Sequence, residues 1–204
     1  MHTELVERCH IAADIVGQLF LDEPQGPLLD ALSDPSFLQS WPLEDDASQH
    51  AINALLEAER DTAEALQRDH LYLFIGVSSP LAQPYESPYF SKDGLVMDED
   101  AAAVAAVYHQ VGFDPGADNL PPDHIGLEFR CISHLCALAL NASSEADQAA
   151  ALAVLCSFTA EHPARFAEQV LGGVEKHANT AIYRALPGLC LLYTSDAADD
   201  STEV

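Results

Sequence analysis

An all-α fold, a single compact bundle of about eight helices, is what this chain predicts, on three observations. Apolar residues recur at three- and four-residue spacing through most of the 204 residues. No segment sustains strict two-residue alternation of apolar and polar side chains. Helix-starting residues (Asp, Ser, Thr or an opening Pro) stand at the head of most periodic stretches.

Leu5, Cys9, Ala12, Val16, Leu19 and Phe20 form one stripe, so residues 4–21 make an amphipathic helix. Pro27, a good first-turn residue, opens a short helix carrying Leu28, Leu29 and Leu32. Phe37, Leu38 and Trp41 lead to Pro42, where helix stops. A long helix is expected over residues 46–70, with Ile52, Leu55, Leu56, Ala63 and Leu66 as its stripe. It runs on through Tyr72, Leu73 and Phe74 until Gly76 ends it. Residues 77–95 read as a loop, because Pro80, Pro84 and Pro88 recur every fourth residue and exclude regular helix. Asp98 caps the next helix, with Glu99 and Asp100 in its first turn, and Gly112 closes it.

Residues 113–122 form a second loop, the expected hinge between an N-terminal portion (1–112) and a C-terminal one (123–192) that share one core. Asp123 caps a helix running to about Asn141, with Ile125, Phe129, Ile132, Leu135 and Cys136 inward. Ser144 caps another, Pro163 opens one reaching about Glu175, and Thr180 caps the last, which holds Ile182, Tyr183, Leu186 and Leu189. The small, acidic, non-periodic residues 193–204 are expected to be a disordered tail and enter no functional reading.

Composition excludes several classes. Lys and Arg total 8 against 33 Asp and Glu, a formal net charge of -25. Nucleic acids and anionic membrane surfaces both require clustered cations, so neither is an expected partner. The acid either serves solubility or steers a basic partner. The five cysteines are odd in number and lack CxxC spacing, so buried reduced thiols are expected. The start, MHTELVERCH, has no basic stretch followed by an apolar one, and no apolar run approaches the ~20 residues that span a bilayer. A cytoplasmic location without membrane insertion is expected.

No GxGxxG, phosphate-loop lysine or HExxH motif occurs, so no catalytic residue, metal or cofactor is expected. His124 and Glu128 lie four apart, with His134 further along. They read as one edge of a metal site, or as a capped helix start with a local His–Glu hydrogen bond. The second reading leads, because no partner His–Glu pair exists. Ser87, His124 and Asp123 lack the strained nucleophile turn that a triad needs. Tyr85 and Tyr89, four apart in the Pro-rich loop, either plug it onto the bundle or line a groove for an apolar or extended peptide. Asp123 is either a plain helix cap or a carboxylate for a guanidinium. A small metal- or nucleotide-dependent enzyme is the alternative from a different class.

A helix ending Leu73-Phe74-x-Gly76, a loop with Pro84-Tyr85-x-Ser87, then Gly112-Phe113, then Pro121-x-Asp123-His124 opening a core helix, resembles the TorD/DmsD family. Arg165-Phe166 and Ile182-Tyr183-Arg184-Ala185-Leu186 match its later segments, so the resemblance runs over about residues 5–190. These are cytoplasmic chaperones of molybdenum-containing enzymes exported by the twin-arginine (Tat) route. The resemblance implies a helical TorD/DmsD-like fold and binding of the twin-arginine signal peptide of a molybdoenzyme catalytic subunit, during cofactor loading and before export. It associates Ser78, Pro84, Tyr85, Ser87, Asp123 and His124 with leader recognition. The expected leader-binding set adds Leu73, Phe74, Gly76, Glu86 and Tyr89. The leader's apolar stretch would lie on Leu73, Phe74, Tyr85 and Tyr89, and its arginines would meet Asp123 and Glu86. A NarJ-like assembly chaperone of a nitrate reductase is the second expectation. A monomer, or a dimer swapping helices across residues 113–122, is the expected assembly. Three departures stand out: Leu120 where the family often has Glu, Val-Ser-Ser after Gly76, and Pro187 with the acidic tail interrupting the last helix.

Overall fold

The computed structural model describes residues 2–76, 79–91, 99–116 and 120–190. The fold is all-helical, with helices α1 (His2–Leu21), α2 (Gly26–Ala31), α3 (Pro35–Gln39), α4 (Asp46–Glu57), α5 (Ala63–His70), α6 (Ser87–Phe90), α7 (Glu99–Val111), α8 (Ile125–Leu140), α9 (Glu145–Glu161), α10 (Pro163–His177) and α11 (Ala181–Leu189). Among the described residues, eight of these helices have eight or more residues, and α2, α3 and α6 are shorter. The expected cap at Asp98, the residue Ser78 and the tail 193–204 lie outside the described residues.

The centre of the bundle is α1 laid along α8. The two backbones meet at glycines: a Cβ on Gly126 would stand 2.8 Å from the Gly17 carbonyl oxygen. That approach lets Phe20 stack on Phe129 at 6.1 Å between ring centres, both fully buried. Phe74 and Tyr183 close on the same cluster, 5.1 Å from Phe20 and 5.7 Å from each other respectively. One apolar core runs through both sides of residues 113–122, from Val16 and Leu66 to Phe166 and Leu186. No described helix is long and apolar enough to cross a membrane.

The single long helix expected over residues 46–70 is two helices. α4 stops at Ala58 and α5 restarts after Thr62, whose hydroxyl accepts from the Ala65 amide. The break frees Asp61 to turn outward from the chain path. Its carboxylate accepts from the amides of Ala181 and Ile182 at 3.1 and 3.0 Å, satisfying two open donors at the start of α11. Thr180 therefore does not cap α11 as expected; its hydroxyl donates to Asp69 at 2.7 Å. Pro187 does not end the last helix either. It sits inside α11, where it removes only one backbone hydrogen bond, and Ser48 Oγ donates to the Gly188 carbonyl beyond it. Three cysteines, Cys131, Cys136 and Cys190, are buried as expected, but Cys156 is exposed.

After α5 the chain takes one π-helical turn, Leu71–Ile75, closed by the Gly76 amide donating to the Leu71 carbonyl at 2.7 Å. The wide turn splits its residues. Leu73 and Phe74 point into the core, while Leu71, Tyr72 and Ile75 are exposed at 40%, 47% and 62%. Gly76 has φ +73°, and a Cβ there would lie 2.3 Å from the Ser79 carbonyl carbon, so only glycine fits.

Candidate functional site

The two Pro-punctuated segments meet at the start of α8. Tyr85 and His124 form an isolated antiparallel bridge, in which the Glu86 amide donates to the Asp123 carbonyl and the Ile125 amide to the Pro84 carbonyl. The same loop is tied to the π-turn by the Leu81 and Ala82 amides, which donate to the carbonyls of Tyr72 and Leu73. Between these ties opens a pocket of about 440 Å³, lined by Phe20, Leu21, His70, Phe74, Ile75, Pro80, Gln83, Tyr85, Leu120 and His124.

Three of the expected leader-binding residues line this pocket: Phe74, Tyr85 and His124. Tyr85 is half-buried and its ring stands edge-on to that of His124 at 5.0 Å. His124 is the real cap of α8. Its Nδ1 accepts from the Gly126 amide at 3.1 Å, which leaves the ring proton on Nε2. Burial holds its pKa down to about 3, with His70 adding to the shift, so the ring is neutral. Burial also lowers the pKa of His70, whose Nε2 faces the Phe20 carbonyl at 3.3 Å. The pocket is thus lined mainly by aromatic and aliphatic side chains, with the imidazoles of His70 and His124 and the Gln83 amide among them.

The other expected residues brace this pocket from behind. Leu73 is fully buried in the core and Pro84 is buried beneath the loop. Tyr89 packs on Phe166 and donates its hydroxyl to the Gln83 carbonyl; burial pushes its pKa up to about 12. Glu86, fully buried, accepts from Arg165 Nη1 at 2.6 Å and from His162 Nδ1 at 2.9 Å. Asp123, also fully buried, does not cap α8. Its Oδ2 accepts from the Ser87 amide at 2.8 Å and from the Ser87 hydroxyl at 2.5 Å. The Ser87 hydroxyl donates to Asp123 and His124 Nδ1 accepts from the Gly126 amide, which is not the serine-to-histidine alignment of a triad.

The expected His124–Glu128 hydrogen bond is absent. Glu128 lies fully buried one turn on, and neither carboxyl oxygen has a partner among the described residues. Burial, and the nearby charges of Glu86 and Asp123, push its pKa well above the usual carboxylate range despite Arg165. Burial thus favours the protonated form of the Glu128 carboxyl over the carboxylate. Phe20, Leu21, His70, Ile75, Pro80, Gln83 and Leu120 also line the pocket and escape motif reading. Phe20 and Leu21 carried a signal, the end of a strong apolar stripe just ahead of Pro24. Leu120 carried another, as one of the departures noted in the sequence.

A family model described as nitrate reductase delta subunit matches residues 39–171, which span the π-turn, the loop, the head of α8 and Arg165. The chain belongs to the nitrate reductase delta subunit family. Members of this family are redox-enzyme maturation chaperones of the NarJ/TorD type. No curated protein matches the chain. Among solved structures, a proposed redox enzyme maturation protein from Archaeoglobus fulgidus is 23% identical with a TM-score of 0.43, over 74% of this chain and 93% of that one.

Proposed function

We propose that this delta-subunit-family chaperone binds the N-terminal leader of a molybdenum-containing oxidoreductase catalytic subunit in the pocket between α1, the π-turn and the 79–86 loop. The observation that carries the reading is the convergence of the two irregular segments on one apolar pocket, with exposed Leu71, Tyr72, Ile75 and Leu81 on the π-turn and loop that frame it. Exposed apolar side chains in such a cluster mark a docking surface. The client carries paired arginines and is exported by the Tat route; the chaperone works in the cytoplasm and turns nothing over. The leader's apolar stretch enters the pocket against Phe74 and Tyr85. Glu86, Ser87, Tyr89 and Asp123 act on the leader through the loop they hold, with Leu73, Gly76 and Pro84 setting its path. Occupancy shields the leader until the cofactor is loaded. Release needs only moderate affinity, and micromolar binding corresponds to about -8 kcal/mol. The surplus of acidic residues steers a basic leader, so association slows as salt rises.

The family's own description favours a second client, a nitrate reductase. Calorimetric titration separates the two, using a twin-arginine leader, the same leader with both arginines changed to Gln, and a nitrate reductase N-terminal peptide. Micromolar binding of the first, weakened by salt and by the arginine change, is the expected result. Preference for the nitrate reductase peptide selects the second client. Failure of every peptide to bind overturns the leader-binding reading.

A further inference from the structure

α1 ends at the pocket in an unusual way. Phe20 and Leu21 line the pocket, and the next two residues are Asp22 and Glu23. The C-terminal end of a helix carries partial negative charge, so two acids there cost the helix stability unless something cationic offsets them. No basic residue occupies the last turn of α1, and among the described residues no ion pair reaches Asp22 or Glu23. Glu23 accepts only from Gln25. Both carboxylates act electrostatically on His70, a pocket-lining residue, against the larger effect of its burial. They follow Leu21 directly, at the edge of the pocket it lines, whereas Glu86 and Asp123 are fully buried and accept from Arg165 and Ser87.

A second feature of the pocket points independently to a bound chain. His124 is 4% exposed, and its Nε2–H has no acceptor among the described residues. Gln83 Oε1, also on the pocket lining, is buried without a donor. One unused donor and one unused acceptor in an apolar pocket suit the C=O and N–H of a peptide backbone.

Resting on the leader-binding reading, we infer that Asp22 and Glu23 are the arginine acceptors of this chaperone, while His124 and Gln83 engage the backbone of the leader's apolar stretch. The apolar side chain fills the space between Phe74 and Tyr85, and the arginine lies over Leu21 to reach the two carboxylates.

The test is calorimetry of the full chain, with the twin-arginine leader and its double-Gln form, on wild type, an Asp22→Asn/Glu23→Gln variant and a charge-matched Glu4→Gln/Glu7→Gln control. Two partly exposed charge pairs predict a loss of about tenfold in affinity for the arginine leader at Asp22/Glu23. The double-Gln leader loses nothing there, and the control variant changes neither peptide by more than about twofold, a long-range charge effect. The thermal midpoint of the Asp22/Glu23 variant stays level or rises, because the helix end is relieved of like charge. Equal losses for both peptides, equal losses in the control, or no loss at all would overturn the assignment while leaving leader binding standing. Absence of binding to wild type overturns both.

Discussion

Tyr85 and Glu86 are neighbours in the chain and face opposite chemistries. Tyr85 looks onto a pocket of aromatic and aliphatic side chains with two neutral imidazoles. Glu86 looks into a buried polar cluster with Arg165, His162, Asp123, Ser87 and Glu128. Tyr85 is held in the bridge to His124 and Glu86 already takes helical backbone angles ahead of α6, so the two side chains part. Contrasting the two faces separates two jobs that a motif runs together. One face offers unused surface to a ligand, and on the other the contacts of Glu86 with Arg165 and His162 and of Asp123 with Ser87 fix where that surface stands. Substitutions behind the loop should then cost stability, and substitutions on the pocket should cost affinity alone.

The sharpest way to break this contrast is Glu86→Ala. Removing one partner of a buried, hydrogen-bonded charge pair costs about 3 kcal/mol, and leader affinity falls with the displaced loop. Urea unfolding followed by circular dichroism measures it; an unchanged midpoint would mean the cluster does not brace the loop. Gly126→Ala comes next. Its Cβ meets Gly17 backbone and the side chains of Phe20 and Leu21, so α1 must shift and the pocket wall with it, at about 2 kcal/mol. Asp123→Ala strips Ser87 of the acceptor of its amide and hydroxyl and should cost about 1–3 kcal/mol in the same unfolding assay. Leader affinity that fell with Asp123→Ala while stability held would place Asp123 on the ligand instead.

On the pocket side, Ile75→Ser should leave the unfolding midpoint within about 0.5 kcal/mol, since the side chain is 62% exposed, and should weaken leader binding about fivefold in the titration. The smallest effect is the pH dependence of Glu128→Gln. The folded-state pKa of Glu128 is raised above its unfolded value, so the folded chain holds the extra proton. Stability from this group is complete below about pH 4.5 and declines as pH rises toward the raised pKa. Glu128→Gln should flatten that alkaline decline in a series of thermal melts, with little change at pH 4. His124 has the opposite sign: its depressed pKa makes stability fall as pH drops from about 6.5 toward 3, and Glu128→Gln leaves that acid limb in place.

How much of the site was readable follows residue by residue. Phe74, Tyr85 and His124 were found because Pro and Gly around them interrupt a helical pattern, and irregular backbone in a bundle marks exposed work. Asp123 and Glu86 were singled out as carboxylates beside an expected groove, yet both are buried with intramolecular partners. A one-dimensional pattern shows that a charge exists, not that Arg165 arrives from 79 residues away to meet it. His70 and Gln83 gave no local signal; each reaches the pocket only because α5 and the loop dock on α1. The break between α4 and α5 was missed for a similar reason. Apolar periodicity continues across it, and only the docking of α11 shows that Asp61 and Thr62 are used as caps.

Spacing, caps and punctuation by themselves determined that the chain is helical and that two irregular segments interrupt the helices, and composition that it is strongly acidic. These are properties of local sequence and net charge, which act without knowledge of the fold. Tertiary structure alone decided which acids are free and which are sealed, and which of His124's two nitrogens faces the pocket. It also decided that, among the described residues, no cation pairs with Asp22 or Glu23. Each of those depends on a partner far away in sequence, brought near by the α1–α8 core.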